Sequence, residues 1–133
     1  MAQYLSLIAL VVPDYDKAIE FYVNTLGFNL IEDTPQGDGK RWVVVAPPGS
    51  RETRILFALA VNHAQTTSIG NQTGGRVFLF LHTDDFNRDY ENMSQLGVVF
   101  EENPRNEPYG QVAVFRDPFG NRWDLVQFSA GNH

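Results

Sequence analysis

Two side chains able to move protons stand at the ends or in the middle of runs that read as β-strands. His82 follows the run Val77–Leu81, and Asp124 lies between Trp123 and Leu125. Imidazole titrates near neutrality, and a carboxylate set among apolar neighbours is desolvated and wants a partner. Together they could serve as an acid–base pair, or Asp124 could hold a polar or cationic ligand group. The structural alternatives are a strand-end His82 bonded to a backbone carbonyl, and an Asp124 ion-paired with Arg122 or Arg41. The other two histidines, His63 and His133, fall in a polar segment and in the C-terminal tail, where they read as exposed. The chain has no cysteine, which excludes disulfides, thiol catalysis and thiolate metal sites. It contains no G-x-S-x-G elbow, no P-loop lysine and no H-E-x-x-H pair. Gly70, Gly74 and Gly75 precede a strand rather than a helix, so the glycines do not build a phosphate cradle.

Aromatic residues supply the second chemical resource. Trp42, Phe57, Phe78, Phe80 and Phe115 fall on strand-like runs, and Tyr109 on the loop Pro108-Tyr109-Gly110. Such residues are core, unless a sheet face lacks a covering helix; there they stack on whatever binds. Phe21, Tyr22 and Trp123 read as packing between sheet and helix. The loop carrying Tyr109 reads either as a tight turn or as a lid.

These residues are positioned by a unit that occurs twice. Leu7–Val12 reads as a buried strand, and Asp14 as the cap of a helix whose apolar side is Tyr15, Ala18, Ile19, Tyr22 and Leu26. Gly27 ends it, and strands follow over 28–32, 42–46 and 55–61, with turns marked by Pro35, Gly37, Gly39 and by Pro47-Pro48-Gly49-Ser50. The second copy has a strand over 77–81, Asp84 or Asp85 as cap, helical spacing of Phe86, Tyr90, Met93 and Leu96, and Gly97 as its end. Strands over 98–101, 111–115 and 122–128 complete it, the last two joined through Asp117-Pro118-Phe119-Gly120-Asn121. The polar stretch 62–75 reads as a linker. The expected fold is α+β, with two tandem βαβββ modules (4–61 and 76–128) forming a curved half-barrel sheet whose concave side holds a pocket.

Asp14 to Phe28 (DYDKAIEFYVNTLGF) resembles the first-helix motif of the vicinal oxygen chelate superfamily, and Asp117 to Leu125 (DPFGNRWDL) resembles its closing hairpin and last strand. That superfamily holds glyoxalase I, bleomycin-resistance proteins, fosfomycin-resistance enzymes and extradiol dioxygenases. The resemblance spans nearly the whole chain as a single domain and implies a site for a divalent metal with one ligand from each of four strands. The positions it implies here are Leu7, Phe57, Phe78 and Asp124. Only Asp124 has a donor side chain, and one carboxylate does not hold a divalent ion. No cofactor is therefore expected, and a divalent metal is disfavoured. The resemblance also implies a homodimer.

Composition narrows the partners. The 133 residues carry sixteen acidic and ten basic side chains, a net charge of −6, which argues against nucleic acid and against anionic membranes. The apolar run at Leu7 is too short for a membrane span or a signal segment and meets Pro13-Asp14 at once, consistent with a soluble, cytoplasmic protein. The expected function is binding of a small molecule, planar and cationic, in an aromatic-lined pocket built from Leu7, Trp42, Phe57, Phe78, Phe80 and Tyr109, with His82 and Asp124 as its polar groups. The alternative is an enzyme: a glyoxalase-like lyase, isomerase or dioxygenase with a rearranged site, or a metal-free acid–base enzyme.

Overall fold

A computed structural model describes residues 1–130, so His133 lies outside the described residues. The chain divides into two compact units, the first ending at Ile69 and the second starting at Gly70.

In the first unit, β1 (Leu7–Val12), β2 (Asn29–Gly37), β3 (Lys40–Ala46) and β4 (Arg54–Leu59) form a sheet in the order β1-β4-β3-β2. The β1–β4 pair is parallel and the others antiparallel. Between β1 and β2 comes α1 (Tyr15–Ile19), capped by Asp14, whose Oδ1 accepts the Lys17 N–H at 2.9 Å. The helix does not run on regularly to Leu26. Over Glu20–Thr25 it widens into a π-helical turn, in which the Leu26 N–H donates to the Phe21 carbonyl at 2.9 Å. Phe-Tyr-Val-Asn-Thr at 21–25 is a run of aromatic, β-branched and short polar residues, all indifferent helix formers. The widening seats Tyr22, which is fully buried with its ring 5.0–5.7 Å from those of Phe21, Phe28 and Phe57. Under the helix, Leu10, Val12, Val43, Val45 and Ile55 complete the core.

Strand β2 extends five residues past Glu32, through Pro35. It is the outer strand of its sheet, where a residue without an N–H costs no ladder bond. The turn is therefore only Asp38-Gly39, both at positive φ (53° and 78°), the pairing that a two-residue hairpin favours. Arg41 ties β3 to its surroundings through Asp16 (2.9 Å) and Asp33 (2.7 Å), with its guanidinium over the Tyr15 ring. It is thus committed within its own unit and is not the partner of Asp124.

The stretch 62–75 is not a plain linker. It contains α2 (His63–Ser68), where Asn62 Oδ1 accepts the Gln65 N–H at 2.9 Å and Gln65 Oε1 accepts the Val61 N–H at 2.8 Å. This reciprocal arrangement resembles a capping box.

The second unit pairs β5 (Leu79–His82), β9 (Arg122–Phe128), β8 (Gly110–Arg116) and β6 (Val99–Phe100) in the order β5-β9-β8-β6, with β7 (Arg105–Glu107) also on β8. Strand β7 was not expected; its pairing makes Pro108-Tyr109 the tip of a tight hairpin, with Glu107 opposite Gly110. Helix α3 (Phe86–Gln95) is capped by Asp85. Gln127 of β9 locks its start, accepting the Phe86 N–H at 2.8 Å and donating to the Asp84 carbonyl at 3.1 Å. Below α3, rings follow one another from Phe86 to Tyr90, Phe100, Phe115 and Trp123, with centroids 4.6–5.8 Å apart.

The β8–β9 connection is held by Asp117, which accepts the backbone N–H groups of Phe119 (2.9 Å) and Asn121 (2.8 Å) and the Asn121 side-chain amide (2.7 Å). Gly70 presses against this turn. It has φ +70°, and a Cβ there would stand 2.0 Å from the Phe119 carbonyl oxygen. Backbone on both sides leaves nothing flexible to yield. Gly70→Ala should therefore destabilise the protein by more than about 1 kcal/mol in urea unfolding, combining left-handed strain with the clash. An unchanged midpoint would show that the turn moves freely.

Candidate functional site

Each sheet has one face under its helix and one face turned away from it, and period-two alternation sorts the strand residues between them. In the second unit Trp123 and Leu125 go to the helix side. Asp124 and Val126 go to the other, beside their register partners Phe80 and His82 on β5 and Val114 and Val112 on β8. Phe78 continues the pairing, its N–H donating to the Arg122 carbonyl at 2.7 Å, so by alternation Phe78, Phe80 and His82 share that face. Phe80 is 65% exposed, whereas Asp124 beside it is 6% exposed. His82 is exposed and stacks on Phe128 with centroids 5.4 Å apart; Tyr109 lies against the same ring at 6.4 Å.

The charges around Asp124 are already committed to one another. Arg122 and Arg116 share Glu101 (2.8 and 2.7 Å), and Arg105 bridges Glu102 (2.8 Å) and Glu107 (2.6 Å). The Arg122 hydrogen bond holds the Glu101 carboxyl below its ordinary pKa. Asp124 goes the other way. Burial pushes its carboxyl up, with Arg105 only partly opposing, and Oδ1 is buried with no hydrogen-bond partner. The expected pairing with Arg122 is not made: that guanidinium is spent on Glu101 and the Gly75 carbonyl (2.9 Å).

In the first unit the face away from the helix carries Leu7, Ala9 and Val11 on β1, Arg54, Leu56 and Ala58 on β4, and Trp42 and Val44 on β3. A cavity of about 290 Å³ opens there, with Leu7, Trp42, Val44 and Arg54 in its lining. Phe57 does not belong to this wall. It is 1% exposed and packs under the helix against Tyr22, paired with the equally buried Leu10. Its place on the far face is taken by Leu56 and Arg54. Arg54 lines this cavity although no local sequence pattern marks it; its register with Leu7 puts it there.

The chain belongs to the glyoxalase/bleomycin resistance protein/dioxygenase superfamily, whose model matches residues 4–125. It is 57% identical over 130 residues to an uncharacterized protein of Shewanella frigidimarina (strain NCIMB 400), covering 97% of this chain and 96% of that one. Among solved structures it is similar to UcmS2, at 30% identity and a TM-score of 0.83 over 95% of this chain and 98% of that one. It is also similar to TnmS3, an antibiotic binding protein from Streptomyces sp. CB03234, at 34% identity and a TM-score of 0.78 over 96% and 98% of the two chains.

The residues at the positions that the resemblance implies for a metal do not fit one. Leu7 and Phe78 offer no donor, and neither Phe57 nor its neighbours Leu56 and Ala58 supply one. Among the described residues no group of three or more His, Asp or Glu side chains is placed to hold an ion.

An acid whose pKa is higher folded than unfolded weakens the fold when both states are ionised. The penalty is full above the folded pKa and vanishes below the unfolded one. Asp124→Asn should therefore raise stability at pH 7, and the gain should shrink as the pH falls through the carboxylate range. Urea midpoints of both proteins across that range check this; a loss of stability at pH 7 would contradict the desolvated carboxylate.

Proposed function

We propose that this protein binds a small, planar aromatic molecule bearing a basic group, without a metal. The observation that carries the reading is the buried, unpartnered Asp124 oxygen beside the exposed ring of Phe80. A buried carboxylate left short of hydrogen bonds costs stability, and such a cost is characteristic of positions kept for a ligand. A cationic group would restore the missing bond, while Phe78, Phe80 and His82 supply rings for stacking and cation–π contact. The net charge of −6 favours approach of a cation. The antibiotic-binding description of TnmS3 supports the same class of activity.

The protein is read as a cytoplasmic homodimer. β1 and β5 are terminal strands of their sheets, and terminal strands are places where a second copy adds on. No helix among the described residues is long and apolar enough to cross a membrane.

The test compares a planar cationic dye with its neutral isostere by calorimetry. Asp124→Asn should weaken the cation by roughly 1.5–3 kcal/mol, the worth of a charge-assisted bond, and leave the neutral compound unchanged. Phe80→Ala should weaken both. Equal affinities of wild type and Asp124→Asn for the cation would overturn the reading, as would near-stoichiometric metal in protein purified without chelator. Light scattering at micromolar concentration should give a dimer.

A further inference from the structure

The cavity of the first unit carries a chemistry that Asp124 does not. Its lining joins apolar side chains, Leu7, Ile31 and Val44, to the indole of Trp42. Four charged residues reach it: Glu32, Arg51, Glu52 and Arg54. Three of these are exposed, and only Arg54 is half-buried. Glu32 accepts the Thr34 hydroxyl at 3.0 Å. The Arg54 backbone N–H is used by the Ser6 carbonyl at 2.9 Å, which anchors the residue at the cavity wall. Its guanidinium makes no ion pair or hydrogen bond with any described residue, in contrast to Arg41, Arg88, Arg105, Arg116 and Arg122. An arginine held half-buried at a cavity wall, with its guanidinium unpaired, presents a planar fork of donors that matches a carboxylate.

We propose that this cavity is an anion-recognising subsite for a planar aromatic acid, with Trp42 stacking on the ring and Arg54 pairing with its carboxylate. The proposal rests on reading the chain as a small-molecule binding protein, and adds a ligand charge opposite to that assigned to Asp124. A volume of about 290 Å³ suits one or two fused rings and a single charged substituent.

The test uses three probes of one shape: 2-naphthoate, 2-naphthylmethanol and 2-naphthylmethylammonium. Affinity is read by calorimetry and location by quenching of Trp42. Trp123 is buried against Phe115, and the Trp42→Phe variant supplies its background signal. Naphthoate should quench Trp42 and bind roughly tenfold or more tighter than the alcohol. Arg54→Gln should abolish that preference, and Arg54→Lys, which keeps the charge, should retain most of it. The inference is overturned if naphthoate binds no tighter than the alcohol, if the preference survives Arg54→Gln, or if Trp42 is not quenched. Loss of the ammonium probe's response to Asp124→Asn would instead count against the reading of Asp124 and leave the Arg54 result standing.

Discussion

Each sheet has two faces, and the helix that follows its first strand covers one of them. Burial of apolar side chains drives the first face shut, with Tyr22 against Phe57 in one unit and the ring series from Tyr90 to Trp123 in the other. That closure decides where every other strand residue points. A side chain adjacent to a core residue along a strand must go to the opposite face, so Leu125 and Trp123 in the core send Asp124 away from the helix. The placement of a charged group among valines is therefore a by-product of how the core is packed.

The same sorting shows how far the sequence could be read. The paired Asp-capped helices, their terminal glycines and the last hairpin were legible, because capping and turn chemistry are local. The site-facing side of β1 was implied by the superfamily resemblance, which places a ligand position seven residues before Asp14, at Leu7. The face of β4 was not legible. Ile55-Leu56-Phe57-Ala58-Leu59 is apolar at every position, so it carries no period-two contrast, and Phe57 was placed on the wrong side. Only the register with Leu10 separates Phe57 from Arg54. Strand β7 escaped notice for the converse reason. Arg105-Asn106-Glu107 has no apolar residue, and is held by its pairing to β8 and by the bridge from Arg105 to Glu107. Helix α2 is similarly polar, and its one local sign was Asn62 three residues before Gln65.

Charge is distributed unevenly between what is settled and what is left over. Arg105, Arg116 and Arg122 are consumed by Glu101, Glu102 and Glu107 in exposed or half-exposed pairs, which add little stability but fix where those side chains sit. Against that background two groups stand out: Asp124, without a partner for a buried oxygen, and Arg54, half-buried at a cavity wall without an ion pair. Superfamily membership accounts for the scaffold; these two residues are what this chain places on it.

The widened turn at Glu20–Thr25 bears on how the chain tolerates changes in length. A π-helical turn closes its hydrogen bonds one residue later than an α-helix does, so it holds one residue more than a regular helix would need. Deleting a residue after Tyr22, within this turn, leaves a segment that can close as ordinary α-helix while keeping both Asp14 and Gly27 as its ends. Deleting one between Asp14 and Ala18 has no such reserve. It would turn the Asp14 cap and the first helical residues by about 100° relative to Ala18 and Tyr22, the angle between successive residues of an α-helix. The first helix thus carries slack at its C-terminal half and none at its N-terminal half, and length variation among relatives should concentrate accordingly.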